Sequence, residues 1–116
     1  MNLSEIQSIV FIEYRNNGYL EMWDYPTIHN ERLQSQMIFD IAELGLITTE
    51  KVEAIEFVRN NKIEVCNNFS DLAKECSDII IRTLNFMSRK GFDAEKVILH
   101  KNKININRGK LHGKEV

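Results

Sequence analysis

Apolar residues recur at helical spacing in four stretches of the chain, separated by polar segments rich in Asn and Gly. In the first stretch Leu3, Ile6, Ile9 and Val10 share one face. Asn2-Leu-Ser-Glu5 predicts a capped start, and Asn17-Gly18 the end. Tyr19 to His29 holds the single Trp and the single Pro, has no period, and reads as an ordered connection. Asn30 is the expected N-cap of a long second helix reaching to about Asn61. Its apolar positions from Met37 to Val58 cover nearly the whole circumference, which predicts a central helix buried by neighbours or by another subunit. Gly45 and Thr48-Thr49 are the points where a kink or break is expected. Residues 60–68, NNKIEVCNN, form a polar connection too short in its apolar content to predict a strand.

The stretch from Phe69 to Gly91 organises the rest. Phe69, Leu72, Ala73, Cys76, Ile79, Ile80, Leu84 and Met87 have the spacing of one buried stripe. Phe92-Asp93 then reads as a staple residue and N-cap for a last helix, Ala94 to about Asn105. The expected fold is all-α, a bundle of four to five helices in a single domain over residues 1–116.

Composition narrows the function classes. The chain has 116 residues, 43% hydrophobic and 28% charged, the balance of a globular domain with a modest core. A net charge of -2 argues against bulk nucleic-acid binding. The apolar runs are too short and interrupted to predict a membrane span, and no basic-then-apolar leader pattern opens the chain. Cys66 and Cys76 lack zinc spacing and read as free thiols of a reducing, cytoplasmic protein, with Cys76 expected in the core.

The chemistry lies in two acidic pairs. Glu50 and Glu53 fall among Leu46, Ile47, Ala42, Ala54 and Phe57 on a helical wheel, so both are expected to be embedded in apolar surface. Burying an unpaired carboxylate costs several kcal/mol, on the order of the largest single-site effects, which disfavours an accident. Glu75 and Asp78, three residues apart, lie about 60° apart at the margin of the apolar stripe. Antiparallel packing of the two helices would bring all four carboxylates to one level of the bundle, the way helical bundles build metal sites. No Glu-x-x-His motif occurs, so a di-iron site is disfavoured, and an all-oxygen set suits Mg²⁺ or Mn²⁺. The C-terminus is basic, with Lys101, Lys103, Arg108, Lys110 and Lys114 against Glu115, and could complement phosphate charge. Arg82, one turn after Asp78, could steady a carboxylate or a phosphate.

Glu50-x-x-Glu53 followed by Glu75-x-x-Asp78 resembles the ExxE…ExxD signature of the MazG-like all-α nucleoside triphosphate pyrophosphohydrolases. LGLITTEKVEAIEFVRNNK and LAKECSDIIIRTLNFMSRKGFD are similar to the two motif helices of that superfamily. Lys101, Asn105 and Arg108, followed by His112-Gly-Lys114, resemble its C-terminal tail. The resemblance covers about Leu33 to Lys114. It implies a helical bundle completed by dimerisation, as a homodimer or homotetramer. It also implies Mg²⁺-dependent hydrolysis of a nucleoside triphosphate to the monophosphate and pyrophosphate, the chemistry of nucleotide-pool cleansing. Glu50, Glu53, Glu75 and Asp78 would then be the catalytic metal ligands. Lys101, Asn105 and Arg108 would contact phosphate, from the same or a neighbouring chain. Trp23, Tyr25 and His29 are candidates for contact with the base. Thr48-Thr49 and Lys51 depart from the small or apolar residues usual around the first Glu, and the aromatic connection varies among relatives, which leaves the base open. The alternative is a non-catalytic helical dimerisation or regulatory module that binds a nucleotide or cation.

Overall fold

The computed structural model describes residues 1–18, 29–60, 65–66 and 69–108. Trp23, Tyr25 and the tail beyond residue 108 lie outside these, as does the side chain of His29. Four helices account for nearly all of it: α1 (Leu3–Asn16), α2 (His29–Arg59), α3 (Asp71–Arg89) and α4 (Ala94–Asn107). A two-residue antiparallel ladder joins β1 (Val65–Cys66) to β2 (Phe69–Ser70), pairing Val65 with Ser70 and Cys66 with Phe69. No described helix is long and apolar enough to cross a membrane.

Side-chain caps set three of the starts. Asn2 accepts from Glu5 N–H at 2.9 Å, Ser70 from Ala73 N–H at 3.1 Å and Asp93 from Lys96 N–H at 3.3 Å. The Ser70 cap corrects the expected start at Phe69. A capping residue keeps extended dihedrals, here φ -70 and ψ 154, so Phe69 falls in the ladder and the helix begins at Asp71. Gly91, at φ 80, ends α3. Phe92 N–H reaches Met87 O at 2.8 Å, a six-residue closure that needs the left-handed position. The expected break in α2 does not occur. Thr48 and Thr49 turn their hydroxyls back onto Leu44 O and Gly45 O, so the polar groups bond within the helix instead of interrupting it.

α3 is the hub, packed most extensively against α2, then against α1, with α4 resting on α1 and α3. The buried Gln7 clips these together. Its Nε2 donates to Ser88 Oγ and Phe92 O, both at 2.9 Å, and its Oε1 accepts from Ala94 N–H at 3.0 Å. Across the other side, the Arg89 side chain, only 1% exposed, lies against the rings of Phe39 and Phe86 and donates to Asp40 and Glu43. Glu43 also accepts from Tyr14 at 3.0 Å, so one guanidinium ties α1, α2 and α3.

Two apolar stripes are left uncovered within one chain. On α2, Ile38, Ile41, Gly45, Thr48, Val52 and Ile55 are all exposed, at alternating spacings of three and four, with Ile38 68% and Ile41 67% exposed. On α3, Ala73, Cys76 and Ile80 are exposed, which corrects the expectation of a core Cys76. The reason is the reach of the neighbours: Gln7 fixes α1 beside Ser88, so α1 covers the second half of α3, and in the first half the side turned away from α2 faces solvent.

Candidate functional site

Opposite the uncovered α2 stripe, Glu43, Ile47, Glu50, Ala54 and Phe57 are half-buried at spacings of four and three and face α3. Glu50 therefore sits inside the α2–α3 packing, as the wheel predicted. Glu53, three residues on, is exposed, against the expectation. A rotation of roughly 60° carries it off the packed stripe toward Ala42 and Leu46, which are themselves uncovered. From α3, Glu75 is half-buried and Asp78 exposed.

The packing brings carboxylate oxygens of Glu50, Glu75 and Asp78 within 4.8 Å of one another. Arg82 Nε donates to Glu50 Oε1 at 2.8 Å. Glu75 has no such relief: its Oε2 is shut off from solvent and without a hydrogen-bond partner. Burial, then the charges of Glu53, Asp78 and Glu50 in that order, raise its pKa above the usual glutamate range. Glu53 thus borders the cluster through Glu75 while standing outside its tight core. Glu56, by contrast, turns to solvent and pairs with Arg59.

Oxygens around Mg²⁺ lie about 2.1 Å from the ion and so at most about 4.2 Å apart. The three carboxylates, at up to 4.8 Å, stand slightly wider than that. The orphaned Glu75 oxygen and the hard, all-oxygen donor set fit such an ion chemically.

Beside the cluster opens a cavity of about 600 Å³, between α1, α2 and α3. Glu50, Asp78 and Arg82 form part of its wall, and the rest is mainly apolar, including Ile9, Val10, Leu46 and Ile81. On α3 the lining residues Asp78, Ile81, Arg82 and Asn85 follow one helical face. The cavity and its α1 wall went unseen in the sequence, where the apolar face of α1 reads only as core. Tyr14 also lines it, and burial, followed by the Glu43 charge, raises its hydroxyl pKa far above the usual value.

The remaining candidates stand apart in one chain. No α4 residue lines the cavity among the described residues. Lys101 and Arg108 are exposed on α4 and at its C-cap, and Asn105 is half-buried with a carbonyl oxygen that has no partner. Comparison of the chain with protein-family models, with curated proteins and with solved structures gives no match.

Proposed function

We propose that the protein is a divalent-cation-dependent hydrolase of nucleoside triphosphates, releasing the monophosphate and pyrophosphate. The observation that carries this reading is a cluster of three converging carboxylates, two of which, Glu50 and Asp78, lie in the wall of a nucleoside-sized, largely apolar cavity. Acids alone suggest a cation, and an apolar cavity alone suggests a small ligand. Adjoining one another, they suit a ligand with an apolar ring at one end and phosphates at the other.

In this reading Glu50, Glu75 and Asp78 would hold Mg²⁺, with Glu53 adjoining, and the cation would supply neutralisation of phosphate charge and acidification of water. The chain's own residues do the rest. Arg82, already beside Glu50 and at the cavity wall, is placed to turn toward a phosphate oxygen. Lys101, Asn105 and Arg108 would reach the phosphates only from a second copy. The uncovered stripes on α2 and α3 supply a surface for such a copy, and a homodimer or a larger assembly is part of the proposal.

A second reading, nucleotide binding without turnover, is favoured by one observation. Arg82 already compensates Glu50, so part of the acidic charge is balanced without any cation. Pyrophosphate release over a panel of ribo- and deoxynucleoside triphosphates, with Mg²⁺ and with chelator, separates the two. Hydrolysis to monophosphate and pyrophosphate that stops in chelator supports the enzyme. Diphosphate and orthophosphate as products, or nucleotide binding with no turnover, would sink it.

A further inference from the structure

Two turns of α2 away from the acids, a further carboxylate stands in the cavity wall: Glu43, beside Tyr14 and Phe39. It lies seven positions before Glu50 on the same helical face, so roughly 10 Å along the axis from the cluster. One of its oxygens is held from two sides. Oε1 accepts from the Tyr14 hydroxyl on α1 at 3.0 Å and from Arg89 Nε on α3 at 2.5 Å. Oε2 takes neither bond, and unlike the lone oxygens of Glu75, Asn85 and Asn105 it is not shut off from solvent. Glu43 belongs to the stripe of α2 turned toward α3, with Tyr14 of α1 on its other side. The 12% of its side chain that stays open therefore gives onto the space among the three helices. Between Glu43 and the acids lie Leu46 on α2 and Ile81 on α3, apolar walls suited to the faces of a flat ring.

We propose that Glu43 Oε2 accepts a hydrogen bond from the amino group of a nucleobase seated in this cavity, so that the site selects cytosine or adenine over uracil or hypoxanthine. The inference rests on the reading of the site as a nucleotide site and adds which group sorts the bases. An ionised carboxylate accepts and never donates. It suits a base amino group, as glutamate does when it accepts from the cytosine amino group in DNA. A carbonyl at the same place would set two acceptors face to face, and that repulsion rejects the oxo base. The bonds from Tyr14 and Arg89 keep the carboxylate from turning away, so its open oxygen is positioned before a ligand arrives.

The test uses the full chain in chelator and nucleosides without phosphate, so that binding is read apart from turnover. Cytidine is compared with uridine, and adenosine with inosine, by calorimetry or NMR titration onto wild type and Glu43→Gln. In at least one pair the amino member should bind wild type about tenfold or more tighter, the worth of a hydrogen bond to a charged group. Glu43→Gln keeps the shape, but its amide donates as well as accepts, so the preference should collapse or invert. A purely structural role would weaken both members of a pair alike and leave their ratio unchanged, and that result overturns the proposal. So does equal binding of the two members in wild type, or no nucleoside binding at millimolar concentration. Should Glu43→Gln fail to fold, Glu43→Asp keeps the charge beside Arg89, withdraws the carboxylate by one methylene and should lose the preference in the same way. Triphosphate hydrolysis with Glu43-independent base selection defeats this inference alone. Glu43-dependent selection without hydrolysis supports it and defeats the enzymatic reading instead.

Discussion

Arg82 Nε meets Glu50 Oε1 at 2.8 Å, joining α3 to α2 beside three clustered carboxylates. The arginine is the one positive partner in this corner of the packing among the described residues, and it pairs with only one of the acids. Glu75 is left with like charges around it. That imbalance organises the predictions about the site.

Arg82→Met keeps much of the side chain's length and removes the charge. Because Arg82 is 41% exposed, solvent screens the pair, and the loss in chelator should be modest, about 0.5–1 kcal/mol. Mg²⁺ at the cluster should take over the compensation of Glu50 and narrow the gap to wild type. Thermal melts of both proteins with and without Mg²⁺ measure this. An equal gap in both conditions would show that the pair and the cation do not share Glu50.

Glu75→Gln relieves the most crowded charge without changing shape. With its folded pKa raised, Glu75 favours the native state at pH values below the ordinary 4.5, and that advantage fades as pH rises through the folded value. At neutral pH in chelator, Glu75→Gln should therefore melt at or above wild type, and Asp78→Asn should behave similarly. Mg²⁺ should stabilise wild type more than either variant. Turnover should fall at least on the order of 100-fold, since charge stabilisation at the phosphates is what is lost. Variants that melt well below wild type in chelator and respond fully to Mg²⁺ would mark the two acids as structural ion-pair residues.

Asp40 responds to pH in the opposite sense. Burial alone would raise its pKa, but hydrogen bonds from Lys90 and Arg89, with their charges, hold it below the usual 3.8. Its contribution to stability is present above 3.8 and is lost as pH falls through the lowered value. Asp40→Asn should be less stable than wild type at pH 7, with the two curves converging in acid. Urea melts across that range decide it, and a constant offset at every pH would remove Asp40 from the linkage. Removing Arg89 should cost more, about 3–5 kcal/mol, because Asp40 and Glu43 would both lose a buried partner.

Ile41→Lys addresses the uncovered stripe of α2. Wild type should scatter as a dimer or larger at micromolar concentration, and the variant should scatter as a smaller species with a lower melting temperature. A wild-type monomer under those conditions would leave the stripe without its proposed occupant.

The helices were legible in the chain because their signals are local. Asn2 and Asp93 cap within one turn, Gly91 closes α3 through its own φ, and apolar spacing needs only a few neighbouring residues to be read. Local signals also located the acids, since Glu50 and Glu75 fall on or beside apolar stripes before any packing is known. What a wheel does not carry is which side of a helix another helix will cover. Packing alone decided that Glu50 is enclosed while Glu53 and Cys76 face solvent, because α1 and α3 cover particular sides and leave the rest. The same holds for residues far apart in sequence: Tyr14, Glu43 and Arg89 meet through one guanidinium, and Ile9, Leu46 and Asn85 surround one cavity, across separations no periodicity encodes. A cavity is a property of the space between helices, so neither it nor the place of Glu43 in its wall exists until the three helices are assembled.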